Sequence, residues 1–352
     1  MKKTILLITI MLSSMAVFAQ KVDKNELKQL KAFMALTAEN GGTNAQALGV
    51  TDLNAPSTWE GVTVANGNVT AIDWKGKKLA GALDLSGFEA LTSVNIADNK
   101  ITSLNVSGDA ALTTLNASKN RLTAINMEGC KALETVNVYK NKLTEISIEG
   151  TPALKKLNCA SNLFVDLNVA NSLTLEYLNC QSCHLENLMV NDCVKLKDLY
   201  AGYNHLKTIN LSGVISLMNL NLDSNHIGTL IISGLPGLST LMCTDNNMTD
   251  IVVKDCPNLL DLICSYNDLT NLSVSNCNNL QFVDCSYNDL TTLDLSNQQF
   301  LQRILCNNNQ LTQVNVSFDQ ALTYVNCRYN MITDFINTAT PNLRMVASQW
   351  NY

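Results

Sequence analysis

Residues 259–270, LLDLICSYNDLT, contain the pattern that decides the fold of this 352-residue chain. An asparagine, Asn267 in this stretch, recurs every 21 residues along most of the sequence. Leucine stands eight residues before this register, an aliphatic residue five before it and an apolar residue two after it. The register holds Asn99, Asn120, Asn141, Asn162, Asn204, Asn225, Asn246, Asn267, Asn288, Asn309, Asn330 and Asn351, with Cys183 as one interruption. A fixed period of about 20 residues predicts a solenoid, because no single unit can bury its apolar face alone.

Each unit is expected to contain two short strands and little helix. The segment before the asparagine alternates with the period of a strand, and so does a second apolar pair such as Leu104 and Val106. Strands of successive turns should pair in parallel at about 4.8 Å. The asparagine side chain can satisfy backbone groups at the corner after the first strand, and stacked asparagines can also bond to one another along the axis.

The stretch from Leu91 to Asn351 resembles bacterial leucine-rich repeats. It is most similar to the 21-residue cysteine-ladder repeats of some internalins and to repeat proteins secreted by Bacteroidetes. The resemblance implies an α/β-type solenoid dominated by strand and turn, a right-handed superhelix with a parallel β-sheet, over residues 79–352. It also implies a secreted or cell-surface binding protein rather than an enzyme. The wall anchoring of internalins is not expected, since no LPxTG-type anchor or apolar tail follows the repeats.

The N-terminus predicts export. Lys2 and Lys3 precede an apolar stretch that ends before Gln20, which is typical of a cleavable secretory signal over residues 1–19 and is too short to span a membrane. No later apolar run is long enough to cross a bilayer. The mature protein is therefore expected to be secreted, on the cell surface or periplasmic.

Residues 20–78 are expected to cap the first repeat. A capping box of Asp23 and Glu26 should open a helix that ends at residues 40–42, and short strands should follow. The end of a solenoid exposes its core, so a cap is needed there. Trp59 and Trp74 are interpreted as sealing this end rather than as a binding pair. The far end, at Tyr352, shows no comparable cap.

Twelve cysteines in an exported chain would usually indicate disulfides, but their positions favour free thiols. All stand at inward positions of the repeat: Cys130, Cys159, Cys180, Cys183, Cys193, Cys243, Cys256, Cys264, Cys277, Cys285, Cys306 and Cys327. Neighbours in one column should hold their Cβ atoms about 4.8 Å apart, beyond the usual disulfide range. We predict buried, reduced cysteines that fill the core.

The three histidines, His184, His205 and His226, follow the asparagine register on consecutive turns. Three imidazoles at this spacing could hold zinc or titrate together, but the favoured interpretation is an exposed, copied turn position. They offer no base held against a nucleophile, so no catalytic residue and no cofactor is predicted. A net charge of −6 and a pI near 5.1 argue against nucleic acid or an anionic membrane as the partner.

Aromatic residues supply the main functional prediction. They are assigned to outward strand positions, mostly in the C-terminal turns: Tyr266, Phe282, Tyr287, Tyr324, Tyr329 and Trp350, with Tyr177, Tyr200 and Tyr203 as a second patch. Clustered aromatic side chains on one face are typical of binding surfaces. We therefore predict a monomeric recognition module for an extracellular protein or glycan. The alternative is a structural protein of the cell envelope that stacks through an uncapped C-terminal turn.

Overall fold

The computed structural model describes residues 21–351, and over this range the chain winds into a solenoid with two walls of short strands. The first wall is one fifteen-stranded sheet, and the second consists of shorter sheets of two or three strands. The predicted signal peptide, residues 1–19, lies outside the described residues. No helix between residues 21 and 351 is both long and apolar enough to cross a bilayer.

The fifteen-stranded sheet, called the long sheet below, contains a hairpin from the N-terminal segment and then one strand from each turn. Its strands are Val62–Ala65, Asn68–Asp73, Ser93–Asn95, Thr114–Asn116, Thr135–Asn137, Lys156–Asn158, Tyr177–Asn179, Asp198–Tyr200, Asn219–Asn221, Thr240–Met242, Asp261–Ile263, Phe282–Asp284, Arg303–Leu305, Tyr324–Asn326 and Met345–Ala347. The first pair is antiparallel, and the later strands are parallel and in register, so that Leu262 lies beside Leu241 and Val283. In the three-residue strands from Ser93 to Asn326 the middle residue points inward and is buried, as strand alternation requires. In the last strand the middle residue, Val346, is exposed.

The opposite wall is built from the second strand of each unit. Its four groups are Ala80–Asp84, Lys100–Asn105 and Ala124–Asn126; Asp166–Asn168 and Asn187–Met189; Thr229–Ser233, Asp250–Lys254 and Asn271–Ser275; and Thr292–Asp294, Gln313–Asn315 and Asp334–Ile336. Between the two walls runs one apolar core, from Val22 to Cys327. The strand-and-turn solenoid predicted from the repeat period is confirmed.

Two turns join the walls in each repeat, and both use left-handed backbone. At the first turn the left-handed residue stands one position before the asparagine register, as at Tyr266 with φ 54°. At the second turn it stands nine positions after the register, where glycine occurs at Gly108, Gly129, Gly213 and Gly234. A side-chain-bearing residue in this conformation costs roughly 1–2 kcal/mol, which glycine avoids.

The register asparagines from Asn99 to Asn330 are buried, and they bind the backbone of two successive turns. Nδ2 of Asn267 donates to the carbonyls of Cys264, at 3.1 Å, and of Cys243 in the preceding turn, at 3.0 Å. Its Oδ1 accepts the Met248 N–H at 3.2 Å. The prediction that the asparagine satisfies corner backbone groups is confirmed. The prediction that asparagines bond to one another is wrong, because main-chain groups already occupy both ends of each amide.

The N-terminal segment packs a helix and a hairpin against the first repeat. It contains α1 (Lys24–Met34), α2 (Asn44–Ala47), a 3₁₀ turn (Pro56–Thr58) and the first two strands of the long sheet. Asp23 caps α1 by accepting the Asn25 N–H at 2.7 Å. Half of the predicted capping box is confirmed, since Oδ1 of Asp23 also accepts the Glu26 N–H at 3.3 Å. The reciprocal half is wrong, because the buried Glu26 carboxylate instead accepts the Val69 N–H at 2.8 Å. The helix also ends at Met34, before the predicted residues 40–42.

The two tryptophans of this segment seal the end of the core. Trp59 and Trp74 are buried, with exposed fractions of 4% and 0%. The Trp74 ring stacks on Phe33 with 5.8 Å between ring centroids. The sealing interpretation is therefore confirmed, and a binding pair at these positions is excluded by their burial.

Candidate functional site

The predicted aromatic residues lie on two surfaces rather than one. Tyr177, Tyr200, Phe282 and Tyr324 stand in strands of the long sheet, on its outward side, called the strand face below. The others stand in the left-handed position of the first turn: Tyr203, Tyr266, Tyr287, Tyr329 and Trp350. The prediction that all nine occupy outward strand positions is therefore wrong, because each strand ends four residues before the asparagine. We call Tyr266, Tyr287, Tyr329 and Trp350 the aromatic edge.

The aromatic edge consists of two stacked pairs. Tyr266 and Tyr287 have ring centroids 4.3 Å apart and planes 8° from parallel, and Tyr329 and Trp350 stack at 6.0 Å and 6°. Asn308 stands in the same column between the pairs. The four aromatic side chains are between 43% and 56% exposed. They present broad apolar ring surface to solvent at an otherwise polar turn.

The backbone beneath these rings is strained and firmly held. Their φ angles lie between 54° and 65°, a region that bulky side chains rarely occupy. The Tyr266 N–H donates to the Ser286 carbonyl of the next turn at 3.1 Å, and the Tyr287 N–H to the Asn307 carbonyl at 2.9 Å. The register asparagine that follows each ring binds the preceding turn as well, as Asn267 and Asn351 do through the Cys243 and Cys327 carbonyls. The repeat therefore holds each ring on a fixed backbone.

The aromatic residues of the strand face are less exposed. Tyr177 and Tyr200 contact each other with centroids 5.7 Å apart and planes tilted by 50°. The guanidinium of Arg303 lies 5.8 Å from the Phe282 ring centroid and 5.2 Å from that of Tyr324. These two rings are thus joined by cation–π contacts within the sheet. Only part of their surface is available to a ligand.

Tyr203 stands apart from the aromatic edge. It is the most exposed of the predicted aromatic residues, at 62%, and its column neighbours are Ser182 and Ser224. The predicted second patch therefore divides between surfaces. Tyr177 and Tyr200 lie on the strand face, and Tyr203 lies at the turn.

The histidine column forms a stack rather than a converging site. The His205 ring lies 5.8 Å from His184 and 5.4 Å from His226, measured between centroids, and its plane is 6° from that of His226. Rings stacked along the axis do not aim their nitrogens at one point. Among residues 21–351 no group of three or more His, Cys, Asp or Glu side chains is arranged to hold a metal ion.

All twelve cysteines are free and buried, as predicted. Burial raises the pKa of the Cys159, Cys180, Cys264 and Cys306 thiols well above its usual value, which disfavours the reactive thiolate. One pair differs: contact with the Cys277 thiol lowers the pKa of Cys256 below its usual value. Both members of this pair are fully buried.

Two buried carboxylates were not predicted as special positions. Asp109 and Asp319 stand in the column that holds Cys130 and Cys193, and both are fully buried. Oδ1 of Asp109 accepts the Phe88 N–H at 2.8 Å, while its Oδ2 has no partner among the described residues. Burial raises the pKa of Asp109 to about 8 and that of Asp319 to about 7. An aspartate at a repeat position that holds a buried cysteine in other turns could have indicated both residues from the sequence.

An apolar groove on the opposite wall was also missed. It has a volume of about 620 Å³ and lies where residues 145–147 do not form the strand that other turns contribute to this wall. Leu173 and Met189 line it, with exposed fractions of 64% and 42%. Leucine and methionine at outward repeat positions could have indicated it.

No protein-family model and no curated protein sequence matches the chain. Solved structures do match it. YopM from Yersinia enterocolitica superposes with a TM-score of 0.61 at 24% identity, over 76% of this chain and 60% of that one. The LRIM1/APL1C complex gives 0.51 at 18% identity, over 72% of this chain and 48% of that one. The functional domain of InlJ from Listeria monocytogenes, which includes a cysteine ladder, gives 0.46 at 24% identity, over 74% and 68%. The chain has the fold of a leucine-rich repeat solenoid.

Proposed function

We propose that this chain is an exported recognition module that binds an extracellular protein or glycan through the aromatic edge. The exposed stack of Tyr266 and Tyr287 carries this proposal. Aromatic rings give large contact area at low entropic cost, and their faces stack on sugar rings or on side chains. Tyrosine in left-handed backbone is costly, and serine fills the same column in other turns at Ser161, Ser182 and Ser224. A binding role accounts for rings at positions where smaller residues fold more easily.

Several features favour recognition over catalysis. The aromatic edge is an open surface, and the three histidines lie in a separate stack. LRIM1/APL1C, which shares the fold, is itself a complex of proteins. The proposed partner is a protein or glycan, with no cofactor, and the proposed state of the module is a monomer.

The test begins with ligand identification, by glycan array and by cross-linked capture from extracellular material using the mature chain. Binding of the identified ligand is then measured by calorimetry for the native protein and for the Tyr266→Ser, Tyr287→Ser, Tyr329→Ser triple variant. We expect the triple variant to lose binding while its melting temperature changes little. A folded triple variant that binds as tightly as the native protein would refute the assignment.

Phe318→Ser is the matched control. Phe318 is also an aromatic residue in left-handed backbone, with φ 66° and an exposed fraction of 50%, but it stands at the second turn. Its replacement should leave ligand binding unchanged. Equal losses from both variants would indicate a general effect of removing exposed aromatic residues rather than a site at the aromatic edge.

The alternative function is assembly through the last described turn. Met345 and Val346 in its strand are 50% and 38% exposed, which supplies apolar surface for stacking. Light scattering separates the two proposals. A recognition module should stay monomeric as its concentration rises, whereas stacking produces oligomers that grow with concentration and that Met345→Lys abolishes.

A further inference from the structure

The first turns carry a row of cations along the same side as the aromatic edge. The row occupies the positions immediately before and after the asparagine register: Lys100, Lys119, Arg121, Lys140 and Lys142, called the basic edge below. All but Lys100 are exposed. The equivalent positions near the other end hold Tyr266, Asp268, Tyr287 and Asp289. The chain thus concentrates positive charge at one end of this side, although its net charge is −6.

The basic edge lines a shallow groove. The groove has a volume of about 380 Å³, and its walls include Lys100, Lys119, Arg121 and Lys140 together with Asp98. The turns repeat at about 4.8 Å, so the cations form a regular row along the axis. Within the described part of the chain, Lys119, Lys140 and Lys142 take part in no ion pair. Their charges are available to an external anion.

Besides Asp98, a carboxylate from the N-terminal segment lies against this row. Glu39, in the loop after α1, places Oε1 3.5 Å from Nζ of Lys100 and 3.9 Å from Nη2 of Arg121. The loop is fixed by a hydrogen bond from the Glu39 N–H to the Lys78 carbonyl, at 3.0 Å. Glu39 therefore shows which chemical group the basic edge attracts, and it competes with an external carboxylate at that end.

We propose that the basic edge binds a linear anionic polysaccharide, with uronate or sulfate groups seated along the row of turns. Arg121 offers a planar fork that suits a carboxylate or sulfate, and the lysines act as point charges. A narrow row one or two residues wide matches an extended chain better than a flat membrane. The negative charge of the rest of the molecule also opposes broad contact with a vesicle or a duplex.

Fluorescent oligogalacturonate and sulfated dextran serve as the probes, and neutral dextran of equal length serves as the blank. Fluorescence anisotropy with the full chain should show binding of one or both anionic probes that weakens as salt is added, because exposed charge contacts are screened. No binding of either probe at low salt would overturn the proposal. Equal or tighter binding of vesicles rich in anionic lipid, or of duplex DNA, would overturn the assignment to polysaccharide.

Two variants should act in opposite directions. The Lys119→Gln, Arg121→Gln, Lys140→Gln triple variant should weaken binding by about tenfold or more, since three exposed ion pairs are lost. Glu39→Gln should tighten binding, by about twofold to fivefold, because it removes one competing exposed carboxylate. Lys131→Gln, Lys195→Gln is the control, since these exposed lysines lie at the second turn, and it should bind as the native protein does.

Weaker binding by the Glu39 variant, or equal losses from the control and the basic-edge variants, would contradict a site at the basic edge. Melting curves verify that each variant is folded. The basic edge and the aromatic edge share no residue. Failure of one proposal therefore leaves the other standing, and Tyr266→Ser, Tyr287→Ser, Tyr329→Ser should retain the anionic probe.

Discussion

The register asparagine stabilises the solenoid by joining each turn to the one before it. Cys183 is the natural exception among the described residues. Its thiol donates to the Cys159 carbonyl at 3.3 Å, as an asparagine Nδ2 does, but a thiol offers no equivalent of the amide oxygen. In the preceding turn Oδ1 of Asn162 accepts the Leu143 N–H at 3.0 Å, and the corresponding Phe164 N–H lacks such a partner.

Cys183→Asn should therefore stabilise the protein. We expect its free energy of unfolding to rise by about 1 kcal/mol, because one buried backbone donor regains an acceptor. Urea denaturation measures the change. Cys180→Asn is the control, since Cys180 is buried in the core column and an amide there has no ladder to join. Equal destabilisation by both substitutions would contradict this account of the ladder.

The buried carboxylate of Asp109 makes stability depend on pH. Burial raises its pKa in the folded protein from 3.8 to about 8, so the folded state keeps a proton that the unfolded state releases. Stability should fall as pH rises between these values, by about 1.4 kcal/mol per pH unit for this group. Asp109→Asn should remove that loss, and stabilise the protein at pH 8 more than at pH 4.

Thermal melts at the two pH values test this prediction. Asp268→Asn is the control, because it removes the same charge at an exposed position, and it should alter stability little at either pH. The prediction fails if Asp109→Asn destabilises the protein more at pH 8 than at pH 4. Asp319→Asn should behave like Asp109→Asn, but here the loss of stability with rising pH should end near pH 7, because the pKa of Asp319 is raised to about 7.

Among the structural elements, the strands were predictable and the turns were not. The apolar positions around Leu262 and Leu104 repeat so regularly that both walls follow from spacing. The left-handed turn before each asparagine escaped prediction, because strand alternation and a left-handed turn both leave a residue exposed. Tyr266 and Tyr287 were therefore recognised as exposed but assigned to the wrong element. The partners of Glu26 and Asp109 depend on distant segments, which a repeat pattern does not encode.

The left-handed turn also sets what each aromatic residue contributes to stability. Tyr203→Asn should stabilise the protein by about 1 kcal/mol, because asparagine tolerates this backbone and Tyr203 has no aromatic neighbour in its column. Tyr266→Asn should gain less, since it also loses a stacked pair worth about 0.5–1.5 kcal/mol. Urea denaturation of the two variants compares them directly. A larger gain at Tyr266 than at Tyr203 would contradict the assigned balance of strain and stacking.

At the scale of the whole molecule, the core contains cysteine in place of disulfide cross-links. The twelve thiols lie between the walls and are fully buried. A thiol reagent should react slowly with the folded protein and should titrate close to twelve thiols after denaturation without reductant. A count near zero in the denatured protein would show that the protein forms disulfides, against the buried, unpaired arrangement.

The central claim is that the aromatic edge contacts the ligand, and tryptophan fluorescence tests it directly. Trp59 and Trp74 are buried, while Trp350 is 56% exposed, so acrylamide should quench Trp350 selectively. Saturating the protein with its captured ligand should remove most of this accessible fraction, and the Trp350→Phe variant should show no such change. Two results together would contradict the claim. Trp350 would remain as accessible to acrylamide at saturating ligand as before, and the Tyr266→Ser, Tyr287→Ser, Tyr329→Ser variant would bind the ligand normally.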